Sequence, residues 1–231
     1  MERFSPSLLA HSIAAQCNSL PTTYLLLAEQ LGAKAYLSYA PLHSFIKFPD
    51  GSGVIHNYEP TSHFEISDRW YANQLRISQD AYESKIYLDT LNKKQIVAAA
   101  MMDLAYGYLR KHGVADGAFI AKCVEDAIQY FPGKVANVQG WLLRSTLLTA
   151  KLDRILQRDS IRDLKDLDKS PEAKEVYNQL KSIDQLLDEL GYDELPTNMY
   201  EQLMQEQNAK GRLQKETTDT KTKRDLFTSY K

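Results

Sequence analysis

The chain has 231 residues, 43% hydrophobic and 25% charged, with 28 basic and 30 acidic side chains and a formal net charge of -2. That length admits one large domain or a small domain with a helical extension, and the apolar content permits a real core and argues against wholesale disorder. Near balance of charge leaves no global field to draw in nucleic acid or an anionic membrane.

Residues 1–16 are weakly patterned, and MERFSPSLLAHSIAAQ lacks a basic segment followed by a sustained apolar one. The longest apolar runs, TTYLLLA and VAAAMM, are too short to span a bilayer. Neither a membrane span nor an export signal is expected in the chain as written. The compartment stays undetermined, since a fragment of an exported protein would read the same way.

LPTTYLLLAEQLG predicts a helix, with Leu20, Tyr24, Leu27, Ala28 and Leu31 on one stripe, Leu25 and Leu26 widening it, and Gly32 as the stop. Apolar almost all round, it is expected to be central and buried. AKAYLSYA, HSFIKF and VIHNYEPT read as strands, the last two joined by a turn at PDGSG. Residues 65–90 mix short polar and aromatic pieces that suggest loops and short helices.

From Asn92 the pattern becomes helical. KKQIVAAAMMDLAYGYLRKHG and AFIAKCVEDAIQYFPG predict a helical hairpin, and a further helix runs through NVQGWLLRSTLLTAKLDRILQR, where Trp141, Leu142, Leu147 and Leu148 are expected inside. The order of Leu104, Gly107, Tyr108, Ala127, Phe131 and Pro132 is similar to a tetratricopeptide unit, without a second copy at that period. SPEAKEVYNQLKSIDQLLDELG has Ser170 as N-cap, Pro171 at the first helical position and Gly191 as the stop. A last helix is expected over NMYEQLMQEQ, followed by a polar, mobile tail. The expected division is a core at 1–90, a helical extension at 91–208 and the tail at 209–231.

Two cysteines are no disulfide framework, and both Cys17 and Cys123 read as thiols. Cys123 lies among Phe119, Ile120, Ala127 and Ile128 and reads as core. Cys17 is either a small packing residue or a nucleophile. Pro21 has no N–H to return to the Cys17 carbonyl, so Cys17 is expected at or just before a helix N-terminus, where unpaired amides and the helix dipole favour a thiolate.

A cysteine nucleophile needs a base and a group to orient it. If PDGSG is the loop and Phe48 faces Val54, His43 lies directly opposite Glu59, which could fix the imidazole tautomer. His56 then points to the other face and is the weaker base. The 14 tyrosines lack an accompanying basic stripe, so a nucleic-acid platform is not expected. No metal-ligand spacing or glycine-rich phosphate loop is present, and neither metal nor cofactor is expected.

CNSLPTTYLLLAEQLGAKAYLSYAPLHSFIKF, with HNYEPT after it, resembles the transglutaminase-like superfamily of papain-like cysteine folds, in particular a bacterial group with Cys-Ser-Leu-Pro-like, Ala-Pro-x-His-Ser and Asn-x-Glu elements and a helical tail. The likeness covers about residues 15–131. Two features depart from the family pattern: Glu59 where Asp is commoner, and Gln16-Cys17-Asn18 where the close group often has Asn-Cys-His. The resemblance implies an α+β fold, a nucleophile helix packed on a short antiparallel sheet followed by an all-α extension. It implies a Cys17, His43, Glu59 triad, with Gln16, Asn18 and Asn57 as oxyanion or supporting groups. The implied activity is on an amide bond of a protein or peptide substrate, with hydrolysis preferred over cross-linking. The alternative is a lapsed enzyme fold whose helical region binds a protein partner.

Overall fold

Pro21 is tolerated in a helix only within the first turn, and the first helix, α1, spans Ser19–Gln30 with Pro21 inside that turn. Its end is set by Gly32 at φ +67, which lets the Ala33 N–H return to the Ala28 carbonyl at 2.8 Å. The computed structural model describes residues 19–114, 117–130 and 138–194, with Gln202, Gln205 and Ala209 beyond them. Cys17, Gln16 and Asn18 lie outside the described residues, as do Phe131, Pro132 and, isolated positions aside, the expected last helix and tail.

The fold is α+β. Strands β1 (Tyr36–Ala40), β2 (His43–Pro49), β3 (Ile55–Glu59) and β4 (Phe64–Glu65) form an antiparallel meander in the order β1-β2-β3-β4. The short β4 is an addition to the three strands expected. Two short helices follow, α2 (Asp68–Gln74) and α3 (Gln79–Glu83), both in the stretch expected to hold loops and short helices.

The β2–β3 register differs from expectation by two residues. Phe48 pairs with His56, not Val54, and Pro49 pairs with Ile55. The cause is Asp50, whose Oδ1 accepts from Ser52 N at 2.8 Å, Ser52 Oγ at 2.7 Å and Val54 N at 3.0 Å. That carboxylate organises residues 50–54 as the loop, leaving Pro49 at the last strand position, where a missing N–H is tolerated. A shift of two preserves which face each side chain occupies.

One face of the sheet carries Leu37, Ile46 and Tyr58, and Tyr24 of α1 meets Tyr58 there at 5.4 Å between ring centroids. Helix α1 covers this face through Pro21, Tyr24 and Ala28, spaced as one helical stripe. The expectation of burial all round is not met: Leu26, Leu27 and Leu31 are 60%, 59% and 82% exposed. A single sheet face accepts only one narrow stripe, and Leu27 and Leu31 of the expected stripe, with Leu26 of its widening, lie outside it.

The chain divides into two compact units, the first with 19–77 as its continuous described part, the second Ser78–Asp193. The boundary therefore falls before the expected position at residue 90. Within the second unit Ser78 caps α3, accepting from Ala81 N at 3.0 Å, and its hydroxyl donates to the Gly191 carbonyl at 3.0 Å. Those bonds commit the residues after 77 to the helices.

The second unit comprises α3, α4 (Lys93–His112), α5 (Ala118–Tyr130), α6 (Val138–Arg158), a 3-10 turn at Leu164–Lys169 and α7 (Pro171–Glu189). Asn92 starts α4 with a capping box to Gln95, and Ser170 caps α7 ahead of Pro171, as its sequence signals indicate. Leu152, Ile155, Leu167, Ala173 and Val176 form one buried cluster, while Val138, Ile183 and Leu187 form another. On α6 the buried residues are Val138, Gly140, Leu143, Leu152 and Ile155, whereas Trp141, Leu142, Leu147 and Leu148 are only half-buried. Of the tetratricopeptide-like order, Ala127 is buried, Leu104 is exposed and Gly107 faces open space.

Gly191 sits at φ +72, and a Cβ there would lie 2.5 Å from Ala81 N and 2.7 Å from Ser78 Oγ. Only glycine lets α7 end against the start of α3. Gly191→Ala is expected to lower stability by about 2–3 kcal/mol, against about 1 kcal/mol for Gly32→Ala, where positive φ is strained but the space is open. Urea unfolding of the two variants measures the difference, and equal losses would mean that the close approach carries no energy.

Candidate active site

The second face of the sheet is polar yet buried. It carries Ser38, His43, Phe45, Lys47, Asn57 and Glu59, of which His43 is 3% and Glu59 1% exposed. Continuing the observed register places Phe45, not His43, level with Glu59. His43 is therefore a diagonal neighbour, and the two side chains still meet because both are long and share a face. Their contact is a buried hydrogen bond between His43 Nε2 and Glu59 Oε2.

Every acceptor position of the Glu59 carboxylate is used. Oε1 accepts from Thr61 N at 2.9 Å and Thr61 Oγ1 at 2.6 Å, and Oε2 accepts from Tyr71 OH at 3.0 Å as well as from His43. Burial on its own raises the carboxyl group, but the His43 hydrogen bond and attraction, with the two Thr61 bonds, outweigh it. The group is held below its ordinary value of 4.5. With Glu59 ionised, Nε2 of neutral His43 carries the proton and Nδ1 the lone pair.

Aromatic rings wall this pair from water. Tyr71 and Phe45 are both fully buried and stack at 4.4 Å, and Tyr71 lies 6.1 Å and Phe45 6.4 Å from the His43 ring. Tyr71 comes from α2, whose position is set by a second polar cluster on the same face. Lys47 Nζ donates to both Asp68 oxygens, at 2.7 and 2.9 Å, and Asn57 Nδ2 donates to Asp68 Oδ1 at 2.7 Å. Asp68 opens α2, so one turn later Tyr71 is carried over Glu59.

Of the residues singled out in the sequence, His43 and Glu59 are brought together. Asn57 shares their face but is engaged with Asp68. His56 does lie on the other face, between two carboxylates, 3.1 Å from Asp50 Oδ2 and 3.1 Å from Glu65 Oε2. Cys123 is a free, buried thiol, and burial, the main influence, pushes it above its ordinary range. Sequence reasoning missed Thr61 and Tyr71. Thr61 stood in the quoted Glu-Pro-Thr run, whereas the Ser67-Asp68 helix start signals α2 but not that Tyr71 meets Glu59. Ser38 Oγ, fully buried on this face, has no hydrogen-bond partner among the described residues.

Among the described residues no group of His, Cys, Asp or Glu is placed to hold a metal, and no helix is long and apolar enough to cross a membrane. Compared with protein-family models, with curated proteins and with solved structures, the chain finds no match.

The depressed Glu59 pKa has a definite sign in stability. Its contribution is present above about 4.5 and is lost as pH falls through the lower folded-state value. Tyr71→Phe keeps the ring stack and removes one donor to a charged acceptor, so it is expected to cost about 1–2 kcal/mol at neutral pH. Below the folded-state value the cost should shrink. Denaturant titrations of wild type and variant, stepped from neutral pH down to the onset of acid unfolding, test this, and a difference that stays constant through the whole range would remove the carboxylate from the account.

Proposed function

We propose that the chain is a cysteine-dependent enzyme of the transglutaminase-like kind, acting on amide bonds of a protein or peptide through Cys17, His43 and Glu59. The observation that supports this most is the buried His43–Glu59 pair. Glu59 fixes Nε2–H, so Nδ1 is the nitrogen suited to take a thiol proton. Helix α1 begins at Ser19, two positions after Cys17 in the chain.

In the reaction the Cys17 thiolate attacks the amide carbonyl carbon, and the carbonyl electron pair moves to oxygen. As the intermediate collapses, the carbon–nitrogen bond breaks and His43 Nδ1–H protonates the departing amine. Water then adds to the thioester, giving its proton to Nδ1, and the thiolate leaves. The imidazolium formed in each half-reaction is stabilised by ionised Glu59, which stays unprotonated throughout. Gln16 and Asn18 are proposed as donors to the oxyanion beside the Cys17 N–H. Asn57 is proposed as support for α2 through Asp68.

Iodoacetamide labelling across pH, read by mass spectrometry for both cysteines, tests the assignment. Cys17 is expected to react with a midpoint about one pH unit or more below the free-thiol value of about 8.5, and Cys123 only above it. His43→Ala should move the Cys17 midpoint up, and Glu59→Gln should move it by less. A Cys17 midpoint no lower than that of Cys123, or one indifferent to His43→Ala, would overturn the triad. Release of ammonia from a glutaminyl protein without incorporation of a fluorescent primary amine separates hydrolysis from cross-linking.

A further inference from the structure

Helices α5 and α6 leave a groove of about 420 Å³ between them. Its floor is apolar, made by Ala121 and Val124 of α5 with Leu147 and Leu148 of α6. At one end the two helices come close: a Cβ on Gly117 would lie 3.3 Å from Leu147 Cδ2. Along the rim stand Arg144, Lys151 and Arg154, opposed by one carboxylate, Glu125. A second hollow of about 310 Å³ continues past Lys151 and Arg154 to Ile155 and Arg158.

The charges on this rim are unequal in what holds them. Lys151 lies 3.7 Å and Arg158 3.0 Å from Glu172, and Arg158 also pairs with Asp159 at 2.8 Å. Arg144 and Arg154 have no carboxylate partner among the described residues. Arg144 lies over the Trp141 ring at 5.7 Å, and Arg154 Nε donates to the Ala150 carbonyl of its own helix at 3.1 Å. Both are exposed. Two unpaired guanidinium groups therefore border a strip of half-buried leucine.

We propose that this groove docks an acidic amphipathic helix of another protein, its leucine-like side chains on the α5–α6 floor and its carboxylates on Arg144 and Arg154. The ten-residue separation of the two arginines on α6 spans about 15 Å, the length of nearly three helical turns. Carboxylates suit the rim because a planar guanidinium accepts them in a two-pronged arrangement. A small anion would use the rim and leave the floor wet, and a nucleic acid would want aromatic platforms that the floor lacks. The chain's own sequence from 215 onward holds more Lys and Arg than Asp and Glu, so its charge does not suit the rim.

The test uses the full chain and a fluorescein-labelled helical peptide with Leu at positions i, i+3, i+4 and i+7 and Glu elsewhere, read by anisotropy. Saturable binding that weakens with salt is expected, and Arg144→Glu/Arg154→Glu should weaken it by at least about tenfold with the thermal melt unchanged. If charge reversal lowers the melt, Arg144→Gln/Arg154→Gln makes the same comparison without new repulsion from Glu125. Binding that survives both variants, equal binding of a peptide with Ser in place of Leu, or no saturation by about 0.5 mM would overturn the proposal. So would sedimentation showing a dimer that the arginine variants dissociate, since the occupant would then be a second copy. Cys17 labelling is read separately, so failure here leaves the thiol chemistry untouched.

Discussion

A carboxylate removed from water is tolerated only when its oxygens are fully engaged, and Glu59 imposes that requirement on everything around it. Its four donors come from three places: His43 on β2, the backbone and hydroxyl of Thr61 just past β3, and Tyr71 on α2. Each must arrive at the right place for the ion to be stable. The sheet meander delivers the first, the Glu-Pro-Thr turn the second. The third depends on Lys47 and Asn57 gripping Asp68 at the start of α2.

That arrangement is an expensive way to fill a protein interior. A well-packed apolar face of the same volume would serve stability equally or better. The fully buried Phe45 and Tyr71 supply such packing beside the pair, so the polar groups are additional to the core and not a substitute for it. The thiol chemistry proposed for this pair needs an imidazole of fixed tautomer, a requirement that packing alone does not impose.

The long elements were legible because they are local. Asn92 with Gln95, and Ser170 with Pro171, announce two helix starts through capping that involves only neighbouring residues. The shared face of His43 and Glu59 was legible too, because strand alternation survives an even shift in register. Their direct opposition was not, because the capture of Ser52 and Val54 by Asp50 decided where the loop begins. The exposure of Leu26, Leu27 and Leu31 was also beyond the sequence: hydrophobicity says that a side chain gains from cover, not whether the fold supplies any. Tyr71 illustrates the same limit, since its partner lies on a strand and no short-range pattern links the two.

The bond from Ser78 to the Gly191 carbonyl brings the first residue of the helical unit against nearly its last. A unit whose ends meet is topologically closed: it enters and leaves the chain at a single point. Such a unit can in principle be opened at another loop and rejoined by a short linker without disturbing its interior. The helices after residue 77 thus have the geometry of a cassette, transferable as a whole, with the glycine at 191 as its clasp.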